Sequence, residues 1–75
     1  MTRIRFTEHY KKDPKTNINN IMVTHYILTS KKKLLGGNIF KIDRRVKKGY
    51  NVYILFSYDR KEDIVWVINA KKRKR

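Results

Sequence analysis

His9, Arg44, Arg60, Tyr58 and Lys71 are the residue types that metal-free cleavage of RNA requires. RNA carries its own nucleophile in the 2′-hydroxyl. A protein then has to supply a base or acid, and cations that hold the developing charge on phosphorus. His9, Arg44 and Tyr58 are the candidate catalytic residues on this reading. Other chemistries lack their parts. Ser30 and Ser57 stand in no nucleophile motif, and Gly36-Gly37 lacks the spacing and the lysine of a phosphate-binding loop. There is no cysteine, the histidines are His9 and His25, and the 6 carboxylates are scattered. No metal site and no cofactor is expected from that donor set. His25 lies on the apolar side of its segment and is expected as a core residue, whereas His9 is expected at the surface.

Charge narrows the partner. Lys and Arg number 20 against 6 Asp and Glu, a formal net charge of +14 on 75 residues. A small domain with that charge repels itself unless a polyanion is present. The cations come in runs, and the binding candidates among them are Lys41, Arg44, Arg45, Lys47, Lys48, Arg60, Lys61 and the C-terminal Lys71, Lys72, Arg73, Lys74 and Arg75. Such side chains neutralise phosphates and release counterions, which gives salt-sensitive, sequence-independent affinity. Tyr53 joins them, because an exposed strand aromatic beside Lys or Arg can stack on an unpaired base. Tyr58 is also expected at the surface, Phe56 and Trp66 in the core. No apolar run exceeds that of Val52 to Phe56, far below the about 20 residues of a membrane span. The N-terminus has no apolar signal core, so an intracellular, cytoplasmic protein without a membrane partner is expected. Abundant Lys, Ile, Asn and Tyr point to an AT-rich genome such as that of a thermophile, a phage or a virus.

The elements that must position these residues read most clearly in the second half. Tyr50, Val52, Ile54, Phe56 and Tyr58 alternate with a mixed set, the pattern of a central strand. Ile64 to Ala70 forms the next strand after the turn Asp59–Asp63, and Ile39 to Val46 the preceding one. Residues 38 to 70 therefore predict a three-stranded antiparallel meander. Arg3 to Tyr10 reads as a further strand, with Ile4, Phe6 and Tyr10 inward. Between them, residues 14–33 allow two readings. A helix would start at Asp13-Pro14 and present Ile18, Ile21, Met22, His25 and Leu28 or Thr29 on one side. The β-branched content of Ile21 to Thr29 allows a strand instead. The first choice gives an α+β fold of order β-α-β-β-β, a small antiparallel sheet with one helix. The second gives an all-β five-stranded small barrel. Residues 1–70 would form one compact domain and residues 71–75 a basic C-terminal tail.

A first strand ending in Phe6-Thr7-Glu8-His9, a helix, and a basic meander finishing in Ile64-Val65-Trp66-Val67-Ile68-Asn69-Ala70-Lys71-Lys72-Arg73 resembles small toxins of the RelE and BrnT kind. That resemblance implies an endoribonuclease with a helix layer on an antiparallel sheet, paired with an antitoxin as its acidic protein partner. It also implies phosphate-binding roles for Arg44, Arg60 and Arg73 and a base in His9. Three functions thus stand as expectations. The first is a small basic nucleic-acid-binding protein acting on RNA or DNA through phosphate contacts. The others are a metal-independent endoribonuclease of toxin type and a structural component of a ribonucleoprotein.

Overall fold

A computed structural model describes residues 2–13, 18–46 and 49–74. The elements run β1 (Arg3–Phe6), α1 (Glu8–Lys12), α2 (Asn20–Thr29), β2 (Lys33–Gly36), β3 (Ile39–Val46), β4 (Tyr50–Asp59) and β5 (Ile64–Lys74). The five strands form one open sheet in the order β1-β5-β4-β3-β2. All neighbours are antiparallel except β1, which lies parallel to β5. The fold is α+β, and the barrel alternative is set aside because β1 and β2 end the sheet at opposite edges.

The predicted meander is present as β3, β4 and β5. Its first turn closes on Gly49, whose φ of +83 suits a residue without Cβ. The first half departs from expectation at several points. β1 stops at Phe6 rather than at Tyr10. Thr7 ends it, because its hydroxyl caps the next helix by accepting from the Tyr10 N–H at 3.2 Å. The same Thr7 donates from Oγ1 and from its N–H to the Val67 carbonyl, bolting the strand-to-helix turn onto β5. Tyr10 is buried as expected, but from a helix.

Two helices therefore stand where one was expected. The start predicted at Asp13-Pro14 is not where α2 begins. Asp13 ends α1 as its C-cap, and α2 is capped by Asn19, whose Oδ1 accepts from the Met22 N–H at 2.8 Å. Pro14 to Asn17 lie outside the described residues. The buried side of α2 is Val23, Tyr26 and Ile27, whereas Ile21 is 81% and Leu28 65% exposed. His25, expected in the core, is exposed with its ring edge-on to Tyr26. Finally, Lys33-Leu34-Leu35-Gly36 is an additional edge strand, β2, turned into β3 at Gly37 (φ +55).

Both helices pack on one face of the sheet. The core joins Tyr10, Val23, Tyr26 and Ile27 to Ile42, Val52, Ile54, Phe56, Val65 and Val67. On β4 these are the even positions, so the odd ones, Asn51, Tyr53, Leu55 and Ser57, point to the other face. No described element covers that face. It is the surface on which the site is built.

Candidate nucleic-acid interface

Lys71, Lys72, Arg73 and Lys74 are strand residues, not a tail. β5 continues through Lys74, and Lys71, Lys72, Arg73 and Lys74 pair with Tyr53, Val52, Asn51 and Tyr50. The domain boundary expected after residue 70 therefore falls inside a strand. A bulge decides which way these side chains point. Leu55 pairs with Asn69 but Phe56 with Val67, leaving Ile68 as an extra residue on β5. Val65 and Val67 face the helices. Strict alternation would send Asn69, Lys71 and Arg73 after them, and one inserted residue reverses the parity. Ala70 takes the core position, fully buried, and Asn69, Lys71 and Arg73 come to the open face.

There they meet Tyr53. The Lys71 and Lys41 ammonium groups lie 5.8 and 6.0 Å from the centre of its ring, and the Arg73 guanidinium carbon 5.6 Å. Each contact is within cation–π range. Arg45 pairs with Asn51 on the same face, and Asp43 pairs with Tyr53 as the face's central carboxylate. Among the described residues none of Lys41, Arg45, Lys71 and Arg73 is ion-paired. Unpaired cations around one ring leave a strongly positive surface with an apolar centre. Trp66, expected in the core, lies on this face 39% exposed, in register with Arg5 on β1 and Ser57 on β4. Ser57 is four residues from Tyr53, about 13 Å along the strand. The face thus carries two aromatic platforms.

The remaining binding candidates divide. Arg44 and Lys72 pair with Val52 and so point to the helix side. Arg44 donates from Nη1 to Thr29 Oγ1 and Ser30 Oγ, both at 3.1 Å, and lies 5.3 Å from the Tyr26 ring. It fastens the end of α2 to β3. The Lys72 ammonium sits 5.6 Å from the Tyr50 ring. Lys74 pairs with Tyr50 and is exposed at the end of β5. Arg60 and Lys61 occupy the β4–β5 turn, at the opposite end of β4 from Arg73, on the order of 30 Å away along the strand. They are not part of the same patch. Lys47, Lys48 and Arg75 lie outside the described residues.

The three catalytic candidates stand on separate elements, with no hydrogen bond between any two of them among the described residues. His9 is exposed on α1, and Arg44 is engaged with α2. The Tyr58 hydroxyl donates to Asp63 Oδ1 at 2.6 Å. That bond, with burial added, raises the Tyr58 pKa, and it holds the Asp63 carboxyl below its usual range. A phenol already donating to a carboxylate is poorly set as a base. Among the described residues no group of three His, Cys, Asp or Glu is placed to hold a metal, and no helix is long and apolar enough to cross a membrane.

Sequence reasoning found Tyr53, Lys41, Arg45, Lys71 and Arg73 by type. It missed Arg5, Asn51 and Asn69, which join the face only once β1 and the bulge are known. No known protein family, curated protein or solved structure matches this chain, so the likeness to RelE and BrnT toxins rests on the order of sequence elements alone.

Proposed function

We propose that this protein binds single-stranded nucleic acid on the open face of its sheet. The observation that carries this reading is the Tyr53 ring, uncovered by any described element and surrounded by Lys41, Lys71 and Arg73 at 5.6 to 6.0 Å. Stacking needs a flat apolar surface, and the backbone that brings the base needs cations beside it. A duplex keeps its bases paired and stacked, so the aromatic part of the face serves an unpaired strand. The phosphates supply the counter-charge that the protein lacks.

Fluorescence anisotropy with labelled RNA across a salt series tests this. Single strands should bind more tightly than duplexes, with log affinity falling linearly in log salt. Tyr53→Ala should weaken single-strand binding by about 1–3 kcal/mol, the usual value of one stacked base, and leave duplex binding nearly unchanged. Equal loss for both forms would remove the stacking part. A flat salt response would remove the reading altogether.

A further inference from the structure

We infer that a pocket at the β2 edge of the open face holds a terminal phosphate of the bound strand, the monoester at one of its ends, through Lys31, Lys32, Lys33 and Lys41. The inference rests on the single-strand reading above. Lys31, Lys32, Lys33, Lys41 and Asp43 line one concave pocket of about 390 Å³. Lys33 and Lys41 are direct cross-strand partners on β2 and β3, so their Cβ atoms stand about 4.5–5.5 Å apart. Like charges placed opposite one another destabilise a sheet. Lys31 and Lys32 precede β2 and bring two more positive charges to the same hollow. Lys32 donates to the Ser30 carbonyl at 3.1 Å, which uses one of its three N–H groups. Asp43 is the carboxylate of the pocket, and among the described residues it forms no ion pair with any of the four lysines. Four ammonium groups against one carboxylate leave three positive charges unbalanced.

Charge selects the anion. An internal phosphodiester carries a single negative charge. A terminal monoester carries about −1.5 to −2 at pH 7 and offers three acceptor oxygens. Its second charge offsets repulsion between Lys33 and Lys41 that a diester leaves partly standing. Lysine suits such a ligand, being a compact point charge with three rotatable donors. Position agrees with charge. β2 is the last strand of the sheet, so the pocket lies at the rim of the open face, where a strand crossing from β5 and β4 runs out of sheet. Lys41 lines the pocket and also holds its ammonium group 6.0 Å from the centre of the Tyr53 ring. A nucleotide stacked on Tyr53 as the last of its strand therefore has the pocket beside it.

The test uses the whole chain and RNA oligomers of one sequence, about 12 nucleotides long, within the usual site size of a single-strand binder. Their ends carry hydroxyl, phosphate or methyl phosphate, placed at the 5′ end in one set and at the 3′ end in another. The methyl ester keeps the size of the phosphate but has the single charge of a diester, so its comparison with the free phosphate isolates the second charge. At fixed salt, the phosphate at one of the two ends should bind about tenfold or more tightly than hydroxyl or methyl ester there, the worth of one charge-assisted hydrogen bond. Lys31→Gln with Lys33→Gln should bring that ratio toward one and leave the affinity for hydroxyl-ended RNA nearly unchanged. The double variant should unfold at the same or a higher temperature than the parent, because it relieves a like-charge pair. Asp43→Asn should raise the ratio, and Lys61→Gln, in the distant β4–β5 turn, should leave it alone. Equal binding of all three ends at both termini overturns the phosphate pocket and leaves single-strand binding standing. A preference that survives loss of Lys31 and Lys33, or that falls equally in Lys61→Gln, overturns its assignment to this pocket. Failure to bind any oligomer overturns both.

Discussion

Arg44 and Lys71 are both cations of the second half, and the fold gives them different work. Arg44 spends its guanidinium on Thr29, Ser30 and the Tyr26 ring. Arg44→Ala should therefore lower stability by about 1 kcal/mol, the net value of such hydrogen bonds, with the salt slope of RNA binding unchanged. Lys71→Ala should change the slope instead, making it shallower by about 0.7 per lost phosphate contact on a single strand, with a loss of stability limited to the about 0.5–1 kcal/mol of its contact with the Tyr53 ring. Paired urea titrations and salt series on the two variants distinguish these assignments. The Tyr58–Asp63 pair makes a prediction about pH. Its first cause is the hydrogen bond, which favours the charged carboxylate and the neutral phenol. Asp63 titrates below its unfolded value, so its contribution is present above that value and is lost as pH falls through the folded one. Tyr58 titrates above its unfolded value, so its contribution is present below that value and is lost as pH rises through the folded one. Stability should hence have a plateau between the carboxylate and phenol ranges, and Tyr58→Phe should flatten both shoulders. Denaturation midpoints across pH measure this directly, and unchanged shoulders in the variant would assign them to other groups.

At the scale of elements, α2 is where packing overruled pattern. Counting from Ile18 at helical spacing selects Ile21, Met22, His25 and Leu28, yet the sheet receives Val23, Tyr26 and Ile27. The reason lies at the helix start. Asn19 caps α2, and Tyr10 donates its hydroxyl to Asn20 Oδ1 at 2.9 Å, which sets the rotation of the helix from its first turn. The helix is apolar on both sides, so periodicity alone could not choose between them. Ile27→Ala should cost about 2–5 kcal/mol. Ile21→Ala should stay within about 0.5 kcal/mol, and equilibrium denaturation of the two variants checks which face is buried. The meander was legible because β4 alternates strictly and its turns carry Gly49 and an acidic–basic loop. The site was legible only in its residue types. Its geometry depends on the extra residue Ile68, which reverses the parity of β5, and a bulge leaves no mark in alternation that a reader could trust. The parallel pairing of β1 with β5 joins residues about sixty positions apart, so Arg5 beside Trp66 had no local signal.

For the whole molecule, strand pairing and self-repulsion pull in opposite directions on the same residues. Deleting residues 71–75 removes five of the 20 cations, which relieves repulsion. It also removes the partners of Tyr50, Asn51, Val52 and Tyr53 and the cation–π contacts of Lys71, Lys72 and Arg73. The magnitudes decide the sign. Each lost hydrogen bond carries about 0.5–1.5 kcal/mol net, and each exposed cation–π contact about 0.5–1 kcal/mol. Exposed charges more than a Debye length apart, about 8 Å in physiological salt, hardly feel one another. The truncated chain should hence be less stable than the full one by about 2 kcal/mol or more at that ionic strength, and a free tail would have produced no loss. At low salt the balance shifts, because repulsion among the remaining cations is no longer screened. The full chain should melt at rising temperature as salt is added, and at higher temperature still when single-stranded RNA is present. A strand at a hundred times its Kd adds about 2.7 kcal/mol. Calorimetry of the full and truncated chains, each with salt and with RNA, separates the contributions. Salt should stabilise both chains, whereas RNA should stabilise the full chain far more, because truncation strips Tyr53 of two of the three cations that bring a phosphate backbone to it.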